Sequence, residues 1–170
     1  FSDEQFREKI NMSGVNSINW ARIICQIVYY FYAYFQLSSK LNFSVPTGNF
    51  GDVYAGYIAK KMGLPIDKLI VATNENDILC RVINTGEYRP SNVKPSLSPS
   101  MDIQVASNFE RLLFDVLKSD DQKVSKSMKN LNDYGFFKLE KDELKKIKEN
   151  FSAEKISDAD TLRIIKDFFM

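Results

Sequence analysis

The feature that most constrains this chain is an apolar strand that runs directly into a glycine-bracketed turn and then into a helix. Asn42-Phe43-Ser44-Val45-Pro46-Thr47 reads as a short buried strand, and Gly48-Asn49-Phe50-Gly51 as a tight loop. Asp52 to Met62 reads as a helix, ended by Gly63 in the C′ position. After Leu64-Pro65, the run Lys68 to Ala72 is a second buried strand, and Thr73 to Asp77 opens a helix reaching about Asn84. The order is β-loop-α-β, and such units pair their strands in parallel through a right-handed crossover. The expected fold class is α/β, part of a mostly parallel sheet flanked by helices.

The loop is also where the sequence concentrates chemistry. A strand-to-helix turn gathers backbone N–H groups and the positive end of a helix dipole at one point, which stabilises a dianionic phosphate. Gly48 and Gly51 are expected to permit positive φ and a close backbone approach to phosphate oxygens. Asn49 tolerates a left-handed conformation and offers a side-chain donor. The pattern is neither a P-loop nor a dinucleotide fingerprint, because it lacks the Lys-Ser/Thr pair that serves Mg²⁺ and nucleotide phosphates. A plain tight connection, with Asp52 matching the helix dipole, is the alternative reading.

Around this unit, Phe1 to Met12 reads as a short amphipathic helix closed by Ser13-Gly14. Asn16 to Gln36 is the most apolar stretch, capped by Asn16 or Ser17 and interrupted by Asn19, Arg22 and Gln26 at steps of three and four. Those interruptions exclude a membrane span of about 18 apolar residues and predict a buried helix with one polar seam. Tyr29 to Phe35 is expected in the core, with a subunit or domain interface as the alternative. Arg22 is a candidate partner for a phosphate or carboxylate. Gly86 to Ser100 holds Pro90, Pro95 and Pro99 and reads as a long loop, and Ala106 to Lys118 returns to helical period. From Lys118 onward the pattern is helical and charged, with no strand evident, so residues 1–117 are expected to form the α/β portion and 118–170 a helical appendage. Lys138 to Lys148 alternates in sign and reads as a solvated face.

The composition narrows the chemistry further. The sequence has no His, which removes the usual general base, the Ser-His-Asp triad and most zinc-site designs. With 23 basic and 22 acidic residues there is no electrostatic footprint for nucleic acid or an acidic membrane. Cys25 and Cys80 are too far apart for a metal or redox motif and are expected to be buried free thiols, which suits a reducing cytoplasm. The first residue is Phe rather than Met, and no signal-peptide pattern follows it, which suits a piece of a longer protein.

Several blocks together resemble the threonine synthases of the fungal and enterobacterial type. They are Asn16-Ser17-Ile18-Asn19-Trp20-Ala21-Arg22-Ile23, Val45 through Asp52, Ala55-Gly56-Tyr57, Ala59 through Pro65, Ala72 through Leu79, and Leu97 through Ile103, in the family's order. The resemblance covers roughly Asn16 to Phe114. It implies a fold-type-II enzyme, a carbon–oxygen lyase that uses pyridoxal 5′-phosphate to convert O-phospho-L-homoserine and water to L-threonine and phosphate. It also implies that Gly48, Asn49, Phe50, Gly51 and Asp52 bind the cofactor's phosphate, with Asn16, Ser17 and Asn19 as candidates for the substrate side.

The family's Schiff-base lysine lies upstream in a Phe-Lys-Asp type block that has no counterpart here. Lys40, Lys60 and Lys61 stand in the wrong context. The chain by itself is therefore expected to hold no catalytic residue, no metal and no activity, and to depend on the remainder of the same polypeptide. Asn74 to Asp77 follows a strand's C-terminal end, where α/β sheets place ligands, and capping explains it equally well. Ser96, Ser98, Ser100 and Asp102 match a family block without a physical role. Two rivals stand beside the main reading: a phospholyase acting on a different phosphorylated amino acid, and a non-catalytic phosphate-binding or interaction module.

Overall fold

In the computed structural model, residues 3–10, 18–37 and 39–169 are described. The sheet is built by β1 (Leu41–Pro46), β2 (Ile66–Thr73) and β5 (Phe151–Lys155), with β2 in the centre and both pairings parallel. Val45 pairs with Val71, and Val71 with Ala153. The β1–α3–β2 unit, with α3 at Gly51–Lys61, confirms the α/β reading within a residue or two of the expected bounds. Helix α3 ends as its sequence requires. Gly63 takes φ +103° and donates to the Lys60 carbonyl, and the chain turns at once into β2.

The remaining helices are α1 (Glu4–Ile10), α2 (Trp20–Leu37), α4 (Ile78–Thr85), α5 (Phe109–Val116), α6 (Asp121–Tyr134), α7 (Lys141–Asn150) and α8 (Asp158–Phe169). A two-residue antiparallel ladder joins β3 (Glu87–Tyr88) to β4 (Phe137–Lys138), and the Tyr88 and Phe137 rings stack at 4.8 Å. No described helix is long and apolar enough to cross a membrane. The solvated face expected over Lys138 to Lys148 holds only from Lys141 on, where α7 buries Ile147; Lys138 lies in β4 and Leu139 is buried in the core.

Two expectations are corrected by this architecture. The segment 118–170 is not purely helical, because β5 completes the sheet against β2 and β4 pairs with β3. Phe151-Ser152-Ala153 follows a charged helix without any break in composition, so nothing local marks the change. Its strand conformation comes from pairing, with Phe151 and Ala153 fully buried against their neighbours.

Helix α2 is not buried all round. It buries Ile23, Ile27 and Tyr30, while Ile24, Val28, Tyr29, Tyr32 and Phe35 are exposed. A helix has one contact stripe per partner, and the partner seated here is α3. Of the aromatic run Tyr29 to Phe35, Tyr30 alone is fully buried. Cys25 is likewise exposed on α2, and Cys80 is the buried thiol of the expected pair; neither is in a disulfide.

The α2–α3 contact is close because Gly56 lies under Tyr30. A Cβ at Gly56 would stand 2.5 Å from the Tyr30 ring and 2.8 Å from Leu69 Cδ2. In an exposed helix, Gly→Ala gains about 1 kcal/mol, but here the overpacking outweighs it. Gly56→Ala is expected to lower the unfolding free energy by about 1–3 kcal/mol in a urea titration. An unchanged or raised midpoint would mean that α2 does not seat on α3 this way.

Candidate functional site

The loop after β1 is fixed from both sides before any ligand is considered. The Thr47 N–H donates to the Ala72 carbonyl at 2.8 Å, extending the ladder by one residue. Gly48 then backs onto a 3₁₀ turn at Pro99–Met101: a Cβ there would lie 2.9 Å from the Ser100 carbonyl oxygen. Gly51 backs onto Asn108, Ile23 and Gln26, which would stand 3.3–3.6 Å from a Cβ at that position. The Asn49 carbonyl accepts both the backbone N–H of Asn108, at 3.2 Å, and its side-chain Nδ2, at 3.1 Å.

The left-handed residue in this loop is neither of its glycines nor Asn49. It is Phe50, with φ 67° and ψ 0°. Gly48 and Gly51 serve the loop by lacking volume, and the positive φ expected of them falls on a residue whose ring is wholly buried. Phe50 packs edge-on to Phe109 at 5.4 Å and against Phe151 at 5.6 Å. These contacts in the core hold the turn in a conformation that a Cβ disfavours.

Phe50 is the N-cap of α3, and its own side chain makes no capping hydrogen bond. The backbone N–H groups of its first turn have no intrahelical acceptor, and the dipole places partial positive charge at the same point. They border a cavity of about 240 Å³ lined by Thr47 to Asp52, by Ser100 and Met101, and by Arg22 and Gln26 of α2. The polar seam expected on the long helix is therefore real, and its two later members face the loop. Among the described residues Arg22 makes no salt bridge, so its guanidinium charge is available at this cavity.

Asp52 brings a negative charge to the same place. The Tyr30 hydroxyl donates to the Asp52 backbone carbonyl at 2.9 Å and lies 3.4 Å from Oδ1, tying the acid to α2. Burial raises the Asp52 carboxyl above its ordinary range, against the opposing hydrogen bond from Tyr30. Burial and the neighbouring Asp52 push the Tyr30 phenol up, so it stays a donor.

A more open hollow of about 620 Å³ lies beside Trp20, Tyr54 and Arg111. Arg111 is already engaged there, by the Ile18 carbonyl at 2.6 Å and Asn108 Oδ1 at 3.1 Å, and sits over the Trp20 ring. No glycine lines this hollow, and the α6 N-terminus that borders it is already capped by Asp120, whose side chain accepts the Lys123 N–H.

Of the substrate-side candidates, Asn16 and Ser17 lie outside the described residues. Asn19 stands just before α2, accepts the Ala21 N–H at 2.9 Å and is not among the residues lining the loop cavity. Asn74, Asn76 and Asp77 act neither as caps nor as an open ligand shelf. Asn74 and Asn76 are buried and hydrogen-bonded to the 94–102 segment, and Asp77 is paired with Arg81 and Lys155. Sequence reasoning missed Asn108 and Tyr30, and read Gln26 only as part of the polar seam. Asn108 precedes α5 and reads as an ordinary cap, so nothing in the sequence ties it to a carbonyl 59 positions away.

No family model matches the chain. It is 46% identical to threonine synthase of Saccharomyces cerevisiae, over 99% of this chain and 36% of that protein. It is 45% identical to threonine synthase of Pseudomonas aeruginosa, over 99% of this chain and 37% of that one. A crystal structure of PLP-bound threonine synthase from Brucella melitensis superposes with a TM-score of 0.88 at 49% identity, covering 91% of this chain and 34% of that one. These 170 residues belong to the threonine synthase family. The chain spans about a third of the length of the relatives it matches.

The link between Asn108 and Asn49 gives a direct test of what rigidifies the loop after β1. Asn108→Ala removes a buried donor from the Asn49 carbonyl and is expected to lower the unfolding free energy by about 1–3 kcal/mol. Asn108→Asp keeps the volume but cannot donate when ionised, so chemical denaturation should rank it with Ala. If Asp behaves like Asn, the Nδ2 donor is not what fixes the loop.

Proposed function

We propose that this chain supplies the phosphate-binding part of the cofactor site in a pyridoxal-phosphate-dependent threonine synthase, which converts O-phospho-L-homoserine and water to L-threonine and phosphate. The observation that carries the reading is the cradle itself. A helix N-terminus whose N-cap side chain makes no capping bond, a glycine with no room for a Cβ and a guanidinium without a salt bridge among the described residues meet at one cavity. The donor set fits a dianionic phosphate: backbone N–H groups of Gly48 through Gly51 as donors, and Arg22 as the balancing charge. That the similar Brucella structure is PLP-bound supports pyridoxal phosphate as the ligand.

When bound, the cofactor supplies the electron sink for chemistry at the amino acid's carbons. This chain's own residues bind and orient. The loop donors fix the phosphate end and hence the register of the cofactor ring. The buried Phe50 ring closes the floor against water, and Tyr30 holds the Asp52 carboxylate on the α2 side, limiting its repulsion of the phosphate. No block like the family's Phe-Lys-Asp segment occurs in these 170 residues, so we assign no catalytic residue here and expect no turnover from them alone. The unpaired thiols suit the reducing cytoplasm.

The test uses the full-length protein and compares binding of pyridoxal 5′-phosphate with binding of pyridoxal, which lacks the phosphate. Gly48→Ala forces a Cβ against the Ser100 carbonyl and should weaken the phosphorylated ligand by about tenfold or more, leaving pyridoxal unchanged. Arg22→Ala should act in the same direction. Release of inorganic phosphate from O-phospho-L-homoserine, with appearance of threonine, checks the reaction. Equal losses for both ligands, or none, would remove the loop from the phosphate site.

A further inference from the structure

The wall behind Gly48 is the 3₁₀ turn at Pro99–Met101, and this turn belongs to a segment with almost no regular structure of its own. Its densest set of ties converges on one carboxylate, Asp102, beside single contacts from the Leu97 N–H to Asp158 at 3.0 Å and from Lys94 Nζ to Glu75 at 3.1 Å. Asp102 Oδ1 accepts from Ser96 Oγ at 2.6 Å, Asn74 Nδ2 at 2.7 Å and Asn76 Nδ2 at 3.0 Å, while Oδ2 accepts the Ser96 N–H at 2.9 Å. Asn74 and Asn76 are buried residues just beyond the C-terminal end of β2, so the acid ties the segment to the sheet.

Three further bonds extend the clamp. Asn76 exchanges a pair with Lys94, its Nδ2 donating to the Lys94 carbonyl and its Oδ1 accepting the Lys94 N–H, each at 2.8 Å. The Ser98 N–H donates to Ser96 Oγ at 3.0 Å. The chain then enters the turn, whose Ser100 carbonyl faces Gly48 and whose end donates the Asp102 N–H back to Pro99.

We propose that Asp102 is a positioning residue for the phosphate cradle, holding the 94–102 strap so that the Ser100–Met101 turn forms the wall against which Gly48 sits. The inference rests on the reading that this loop holds the cofactor's phosphate. Asp102 does not line the cavity, so it acts through the turn. Hydrogen bonds from Ser96, with those from Asn74 and Asn76, hold its carboxyl below the usual carboxylate range, against the pull of burial. It therefore stays an acceptor for all of its donors at neutral pH. Among the described residues no cation bridges it, and neutral amide and hydroxyl donors carry the whole clamp. That donor set matches the acceptor-only character of a carboxylate.

The experiment uses the full-length protein in three forms: Asp102→Ala, Asp102→Asn and, as the cradle control, Gly48→Ala. Two quantities are read. Hydrogen–deuterium exchange over residues 91–104 of the cofactor-free protein reports the strap. The ratio of affinities for pyridoxal 5′-phosphate and pyridoxal reports the cradle. Asp102→Ala should speed exchange in the strap and lower the affinity ratio by about tenfold, with pyridoxal binding unchanged. Asp102→Asn, which keeps one acceptor and turns the other into a donor facing the Ser96 N–H, should fall between.

A freed strap with an unchanged ratio overturns the proposal, and so does a strap that stays protected without the carboxylate. If Gly48→Ala also leaves the ratio unchanged, the phosphate reading itself fails. Should Asp102→Ala not fold, Ser96→Ala removes the shortest of the bonds and must shift exchange and ratio in the same direction, by less. No shift in its ratio despite faster exchange would equally sink the idea.

Discussion

The conformation of Phe50 is the constraint on which the site depends. A left-handed non-glycine residue costs about 1–2 kcal/mol. Burying a phenylalanine ring contributes about 1.5–3 kcal/mol, and each good aromatic pair adds about 0.5–1.5 kcal/mol. Phe50 has complete burial and two ring partners, so the balance favours the turn. The ring goes inward, the following residues enter α3, and the N–H groups of the first turn are left at the cavity. The same ring connects distant parts of the chain. Phe109 comes from α5 and Phe151 from β5, and Tyr88 continues the contacts from Phe109 to Phe137. The C-terminal third thus helps to hold the loop's floor.

How much of this was legible in the sequence follows from the range of each interaction. The β1–α3–β2 unit was readable because its signals are local: an apolar run, two glycines, a helical period and Gly63 at its end. The site's location was readable for the same reason. The source of its geometry was not. Glycine suggests positive φ, but at Gly48 and Gly51 the relevant facts are a carbonyl and an asparagine side chain brought in from 52 and 57 residues further along. The core role of Phe50 was not legible, because nothing local shows that its ring reaches the core. Strand β5 was illegible in a similar way, since three residues of alternation beside a charged helix carry too little pattern until β2 pairs with them.

Helix α2 shows a different limit. Its apolar content was clear, yet composition cannot say which apolar face is covered. Ile23, Ile27 and Tyr30 meet α3 and its surroundings, and the opposite face with Val28, Tyr32 and Phe35 does not. The polar interruptions carried more information than the apolar majority. Asn19, Arg22 and Gln26 break the stripe at helical spacing, and the last two line the loop cavity. Polar groups on an apolar helix are costly unless they meet something polar, so such interruptions mark where a ligand or partner belongs.

Seating α2 is therefore also a condition on the site. A helix rises about 1.5 Å per residue, so Tyr30 stands about 12 Å along the axis from Arg22, joined by a rigid hydrogen-bonded rod. At one end, Tyr30 rests on Gly56 and donates to the Asp52 carbonyl, which fixes both the approach and the axial register of α2 against α3. At the other end, Arg22 and Gln26 meet the loop in front of α3. A side chain at position 56 would push the rod outward, and loss of the Tyr30 hydroxyl would let it slide. Either displacement carries the guanidinium with it, because nothing between residues 22 and 30 can absorb the movement without breaking helical bonds. Gly56 and Tyr30 thus set the charge at the cavity mouth from outside it, through packing and one hydrogen bond.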